Sequence, residues 1–292
     1  MPLLTALLAQ RTDGFTIDRI LVVSDGSTDR TAEFVRLLAD PRIELVEHAV
    51  RQGLGKTQND IIARATGDTL VIVNADVIPA DDRFLTELVR PLMTDPLSAA
   101  RQMPIGLVGA DVESAVSKRL IEAAVGMSHE FKQRMYETLH DSDTVYLCHG
   151  RARAFARAVY EALRWPDDVP EDAYSYFWAK QHGFGFAYAK DARVMFRSPA
   201  TLADHARQSQ RFVDGKRKLT AYFDPKTVAA AYRIPLGALI LFFFRYTFRH
   251  PVLMASYLAV LVAARLLPLN GPLNHHHWEV SRSTKTIMDS QY

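Results

Sequence analysis

A carboxylate, Asp76, closes the run Leu70-Val71-Ile72-Val73-Asn74-Ala75-Asp76, whose first four residues are apolar and largely β-branched. Such a run reads as a strand buried on both faces, and in open α/β sheets ligands bind at the carboxyl ends of the strands. A lone carboxylate there suits a divalent metal held against a phosphate. With Pro79 just beyond, the competing role is a cap on the turn before the next helix. A second acidic pair, Glu171-Asp172, opens a segment rich in aromatics (Tyr174, Tyr176, Phe177, Trp178), where a helix start favours negative charge on its own account. Asp25 stands in Ser24-Asp25-Gly26, which is also ordinary turn chemistry. Lys56 follows Gly53-Leu54-Gly55, and Arg211 sits in a basic stretch with Arg207 and Lys216; for both, an exposed charge is the plain alternative. His149-Gly150 opens a loop in which a structural histidine competes with a chemical one. His275-His276-His277 cannot all face one ion on a regular element and reads as a solvated loop.

The elements that must carry these groups alternate. The end of a helix over 3–10 leads to a strand over 20–23, with Asp29 as N-cap of a helix over 30–39. A strand over 43–46 and a turn over 53–56 lead into a helix over 57–65, and Thr66-Gly67-Asp68 turns the chain into the Asp76 strand. This β-α-β-α-β rhythm predicts a parallel sheet with helices on its faces. Further on, the pattern predicts helices over 84–93, 114–139 and 152–163, strands over 107–110, 145–148, 186–189 and 194–196, and a basic helix from Pro199 to about residue 222. The composition then changes. Apolar runs over 234–244 and 252–264 flank a basic break, and neither reaches the roughly 20 residues of a clean transmembrane helix. They are a short hairpin in or on a membrane, or two core helices. The basic residues Lys216-Arg217-Lys218 and Arg249 favour membrane association, as on a cytoplasmic face. The expected division is a globular domain over 1–222, an apolar hairpin over 223–269 and a polar tail over 270–292.

The 292 residues are 48% hydrophobic and carry a formal net charge of +2, which supports a packed core and gives no nucleic-acid footprint. The single cysteine, Cys148, excludes an internal disulfide and a Cys-based metal site. Residues 1–10 lack the basic start and cleavage site of a signal peptide.

Five short motifs occur in order: Val23-Ser24-Asp25-Gly26-Ser27-Thr28-Asp29, Gly55-Lys56, Asn74-Ala75-Asp76, Glu171-Asp172 and Gln208-Ser209-Gln210-Arg211-Phe212. Together, over about residues 3–212, the chain resembles the inverting family 2 glycosyltransferases of GT-A fold, especially the membrane-associated ones that make polysaccharides or glycolipids. The resemblance implies an α/β fold with a mixed, mainly parallel sheet flanked by helices, followed by apolar membrane-associated helices. It implies transfer of a sugar from a nucleotide-sugar donor to a hydroxyl of a lipid-linked or carbohydrate acceptor. Asp76 matches the last carboxylate of the family's D-x-D motif and would hold Mg²⁺ or Mn²⁺, while Asn74 stands where the first aspartate usually is. Arg211 and Gln208 match the family's Q-x-x-R-W motif, with Phe212 for the tryptophan; Arg211 would contact the diphosphate. Asp25 would meet the nucleoside base or ribose, and Lys56 would lie near the donor. Asp172 would be the general base beside Glu171, with His149 and Gly150 near the acceptor. Trp165 and the aromatics after Asp172 either stack on sugars or pack the core.

The resemblance further implies an apolar strand before the first helix, central between the strands at Ile20 and Leu70. Its omission leaves two ladder edges unpaired, each unmet buried amide costing about 1–3 kcal/mol. The expectation is therefore a fragment, or a start assigned downstream of the true one, which the upstream coding sequence would decide. Two other functions compete. A sugar-nucleotidyltransferase would want a Gly-rich, basic phosphate loop after the first strand, which is not present. A homologue without activity, binding a partner or lipid, is kept open by Asn74 and the missing strand.

Overall fold

The computed structural model describes residues 2–94 and 103–266. A first helix, Pro2–Leu8 (α1), precedes the strand Ile20–Asp25 (β1), which pairs in parallel with Ile43–His48 (β2) after the crossover helix Thr31–Leu37 (α2). The helix Leu54–Arg64 (α3) returns the chain to Thr69–Val73 (β3), followed by the short strand Val77–Pro79 (β4) and the helix Phe84–Thr94 (α4). Then come Ile105–Ser114 (β5), Leu120–Tyr136 (α5), Ala152–Ala156 (β6), Arg157–Tyr160 (α6), Glu171–Gln181 (α7) and Gly185–Phe196 (β7). Four helices end the described chain: Leu202–Leu219 (α8), Pro225–Ala231 (α9), Leu236–Arg249 (α10) and Pro251–Leu266 (α11).

The sheet is mixed and comes in two pieces. β1 and β2 stand apart from a five-stranded sheet of order β3-β6-β5-β7-β4, in which β5 and β7 run parallel and the other pairs antiparallel. Among the described residues, no strand occupies the edge of β1 away from β2, or that of β3 away from β6. This changes the expectation for the Asp76 strand. Only Ile72 of β3 is buried, and Leu70, Val71 and Val73 are half-exposed, because one edge has no neighbour. β6, flanked on both sides, buries Ala152, Arg153, Ala154 and Phe155.

Alternation across the sheet divides the core between its faces. One face carries Leu107, Phe155 and Phe186 against Trp165, Tyr174, Tyr176, Phe177 and Trp178. The other carries Val108, Ala154 and Val194 against Phe84 and Leu88 of α4. The aromatics after Asp172 and Trp165 are therefore core residues.

Five predicted elements take another form. Residues 152–163, Ala-rich and read as a helix, supply β6 and α6, since small side chains and Phe155 fit a strand closed in on both faces. Residues 145–148, read as a strand, form a 3₁₀ turn at Val145–Leu147, capped by the Thr144 side chain. The two strands over 186–196 are one strand with an irregular register opposite Ala110 and Asp111. The helix predicted to start at Thr57 starts at Leu54, so Lys56 lies in its first turn.

The apolar runs form α10 and α11, which pack Phe242, Tyr246, Met254 and Tyr257 against Met127, Phe131 and Met135 of α5. Their outer faces expose Leu236, Leu241, Phe244, Phe248, Val252 and Val262. By length and composition, 225–249 is the one helical stretch among the described residues that could cross a membrane, although the helix breaks before Pro235. The tail over 270–292, with His275-His276-His277, lies outside the described residues.

Candidate active site

β3 and β6 are antiparallel neighbours, so the C-terminal end of β3 meets the start of β6, with Val73 opposite Ala152. The segment His149-Gly150-Arg151 runs into that junction and is held from both sides. The Asn74 amide donates to the Arg151 carbonyl at 2.9 Å, which ties the segment to the Asn74-Ala75-Asp76 turn. The Gly150 amide donates to Asp172 Oδ2 at 3.2 Å. Asp172 Oδ1 also accepts from the Ala173 amide at 2.7 Å, as a carboxylate in a first helical turn can. Asn74, Asp76, Gly150, Glu171 and Asp172 thus come together at the head of β3 and β6.

Gly150 is there for space. A Cβ on it would lie 2.9 Å from Glu171 Oε1 and 3.5 Å from Asp172 Oδ2. Glu171 is only 6% exposed, and burial first, then the Asp172 charge, push its carboxyl up to about 7 against the pull of Arg153. Arg153 is wholly buried and donates to the Glu171 carbonyl, the Ser175 hydroxyl and Gln58 Oε1. The Trp165 indole N–H donates to the same carbonyl and hydroxyl, so Trp165 fixes α7 and has no free face for a sugar.

Two buried polar atoms at this junction have no hydrogen-bond partner: Asp76 Oδ1 and Arg151 Nε. Unmet buried groups cost about 1–3 kcal/mol each, and Arg153 Nε and Gln58 Nε2 share the condition. The Arg151 guanidinium lies 3.8 Å from the Phe196 ring centre. Burial lowers its pKa, and the charges of both Asp76 and Asp172 pull it back up. Both acids therefore act on one guanidinium. The sequence offered little to single out Arg151: it follows the His149-Gly150 pair, yet its charged neighbours lie far away along the chain. Among the described residues no three His, Cys, Asp or Glu side chains gather as a metal cage. A cation at Asp76 would take one carboxylate from the chain and the rest of its shell from ligand oxygens and water, a mode that suits Mg²⁺ beside phosphates.

Of the remaining predicted residues, His149 belongs to the same segment, while Asp25 and Lys56 have partners of their own. His149 donates from Nε2 to Gln133 Oε1 at 2.7 Å, and Gln133 in turn donates to Asp111 Oδ1 and to the Tyr188 hydroxyl. Burial holds His149 well below its usual pKa, with the neighbouring His129 and Arg151 acting the same way, so its role is that of a neutral, fixed ring. Asp25 is engaged with its own surroundings: its carboxylate accepts from the amides of Gln52 and Gly53 at 2.7 and 2.9 Å and pairs with His48 at 3.0 Å. It orders the loop that starts α3. Lys56 pairs with Asp167 at 3.5 Å, and Gly55 lets that helix approach the Pro166 carbonyl, where a Cβ would lie 3.2 Å away.

α8 closes the other side. Gly215 packs on Pro170, immediately before α7, with room for a Cβ only at 3.2 Å from the proline ring. Arg211 lies one turn earlier on that face and is half-buried, whereas Gln208 is exposed. Phe212 sits edge-on to Tyr232 at 5.8 Å. Burial and then the Asp172 charge raise the Tyr232 pKa, which puts that ring within the field of the acid.

Comparison with known proteins gives the family and the fold. Residues 2–215 match the glycosyltransferase like family 2. The mannosyltransferase PcManGT from Pyrobaculum calidifontis, solved with GDP-Man and Mn²⁺, superposes with a TM-score of 0.54 at 23% identity, over 93% of this chain and 72% of that one. Glucosyl-3-phosphoglycerate synthase from Mycobacterium tuberculosis, solved with phosphoglyceric acid, aligns with a TM-score of 0.40 at 16% identity, over 87% of this chain and 71% of that one. No curated protein matches the sequence. With a GT-A-like mixed sheet, flanking helices and a family match over most of its length, the chain belongs to the family 2 glycosyltransferases and is a sugar-transferring enzyme.

Proposed function

We propose that this glycosyltransferase moves a sugar from a nucleoside-diphosphate donor to an acceptor hydroxyl in one inverting displacement, at a membrane surface, in the synthesis of a polysaccharide or glycolipid. The observation that carries the reading is that the Asn74-Ala75-Asp76 turn and Asp172, distant in sequence, both hold the segment over 149–151, the first through the Asn74 amide and the second through Gly150, and that both acids act on the Arg151 guanidinium. Asp172 is the base: half-buried and facing the junction, it takes the proton of the acceptor hydroxyl. The freed oxygen attacks the anomeric carbon as the bond to the donor's phosphate oxygen breaks, and the electron pair leaves with the diphosphate. Attack opposite the leaving group inverts the centre. Glu171, buried behind Gly150, is too enclosed to serve as a second nucleophile.

The departing diphosphate needs positive charge. Asp76, with its buried unpaired oxygen, fits a divalent cation, Mg²⁺ or Mn²⁺, which when bound would neutralise the phosphate oxygens. Arg211 on α8 adds a forked donor for the same oxygens, and Lys56 and Asp25 border the nucleoside side. The outward apolar faces of α10 and α11, next to the basic end of α8, support docking on the cytoplasmic face of a membrane, where a lipid-linked or carbohydrate acceptor would be met.

A donor screen on the full chain, starting with GDP-mannose and Mn²⁺ because PcManGT was solved with them, tests the proposal. Release of nucleoside diphosphate that falls at least about 100-fold in Asp76→Ala and Asp172→Asn is expected. Release of pyrophosphate, or turnover unchanged in both variants, refutes it.

A further inference from the structure

We propose that Arg151 provides part of the positive charge that the departing diphosphate needs, so that a nucleoside diphosphate binds this enzyme even without a divalent cation. The inference rests on the sugar-transfer reading and adds a residue that none of the family motifs in the sequence contains.

Arg151 lies within the field of both acids of the site. Its carbonyl is held by the Asn74 amide, and the residue before it by Asp172. Its side chain is laid against the Phe196 ring, which also meets the His129 ring edge-on at 4.9 Å. His129 is itself pinned by its Nε2–H bond to the Val112 carbonyl at 2.7 Å. The guanidinium is therefore placed by a rigid stack, and its Nε still lacks a partner.

Neighbouring arginines show what a structural role looks like here. Arg153 also has an unpaired Nε, yet its terminal nitrogens bond a carbonyl, a hydroxyl and an amide oxygen. Arg134 pairs with Asp111 and Glu113, and Arg197 with Glu122. Arg151 closes no such pair, although two carboxylates act on it. The strand end also carries less negative charge than a D-x-D motif would, since Asn74 is neutral. With Asn74 neutral, two acids rather than three face the one guanidinium, and the diphosphate meets a fork of N–H donors beside the carboxylates rather than carboxylates alone. As the bond to the anomeric carbon breaks, these hydrogens donate to the phosphate oxygens that receive the electron pair; no proton changes hands at Arg151.

The test is calorimetric titration of the full chain with GDP, UDP, ADP, CDP and dTDP, in EDTA and again in Mn²⁺, for the wild type, Arg151→Gln and Arg151→Lys. Thermal melting of each variant checks that it is folded. The expected result is wild-type binding of at least one nucleotide in EDTA, weakened about ten- to hundredfold in Arg151→Gln and partly restored by Mn²⁺. Binding by the wild type only in Mn²⁺, or equal affinity of wild type and folded Arg151→Gln in EDTA, overturns the proposal and leaves sugar transfer standing. If Arg151→Gln does not fold, Arg151→Lys decides: a loss of about tenfold supports the forked contact, and unchanged affinity overturns it. A wild type that binds none of the five nucleotides in either condition defeats the sugar-transfer reading and this inference with it.

Discussion

Gly150→Ala is the most direct probe of the junction. The added methyl would sit 2.9 Å from Glu171 Oε1, closer than a Cβ comes to a non-bonded atom, and 3.5 Å from Asp172 Oδ2. Gly150 does not have a positive φ, so the backbone tolerates alanine and the effect is steric. Relief requires the Glu171 carboxylate to retreat by a few tenths of an ångström. It is 6% exposed, and its own carbonyl is held by Arg153, Trp165 and Ser175, so the push passes to Asp172 and its 3.2 Å bond to the residue 150 amide. Overpacking of this kind costs about 1–3 kcal/mol. At about 2–4 °C per kcal/mol for a chain of this size, the melting temperature should drop by roughly 2–12 °C. A base displaced by a fraction of an ångström should lower kcat by about ten- to hundredfold, with donor KM moving much less. Steady-state kinetics on a working donor, paired with thermal melting, reads both. A variant that melts lower but keeps kcat within about twofold would separate the segment over 149–151 from the chemistry and refute the assignment of Asp172.

Other perturbations have equally definite outcomes. Glu171, raised above its unfolded value to about 7, binds its proton more tightly when folded; its favourable contribution is complete below about pH 4.5 and is lost as pH rises through 7. Glu171→Gln should therefore flatten the fall in urea midpoint between pH 5 and 8 that the wild type shows, and an unchanged slope contradicts the burial argument. His48, raised chiefly by its bond to Asp25 and also by Asp60, likewise stabilises below its unfolded pKa and stops doing so as pH climbs through the folded one. His48→Gln should lose stability at pH 5.5 more than at pH 8, read by the same denaturation series. Phe244→Asp with Leu241→Asp, both on the outer face of α10, should abolish co-sedimentation with anionic vesicles and leave the melting temperature in detergent unchanged; retained sedimentation sinks the docking surface.

Much of the frame was readable because local pattern and tertiary need agree there. β1, β2 and β3 are short β-branched runs bounded by turn residues, and α7 starts where Glu171-Asp172 said it would. β6 was misread because Ala152–Ala156 has helical composition, while its position between β3 and β5 is a long-range fact. The acids were legible from their place after strands and at helix starts. Their roles were less so: Asp25 lies near the expected donor side, yet three donors already occupy it. Arg151 escaped notice since the two acids that define it approach only when β3, β6 and α7 are assembled. No local signal marks an arginine as partnerless.

The separation of β1 and β2 from the five-stranded sheet gives the enzyme two plates joined by side chains rather than by a continuous ladder. One rivet is a reciprocal amide pair: Asn59 of α3 donates to the Trp165 carbonyl at 2.8 Å and accepts from the Trp165 amide at 2.9 Å. Asp25 and Lys56 belong to the smaller plate, Asp76 and Asp172 to the larger. A nucleotide long enough to touch both would act as a second fastener. Deuterium uptake along β1 should then slow on ligand binding by more than uptake along β5, which is already laced on both sides.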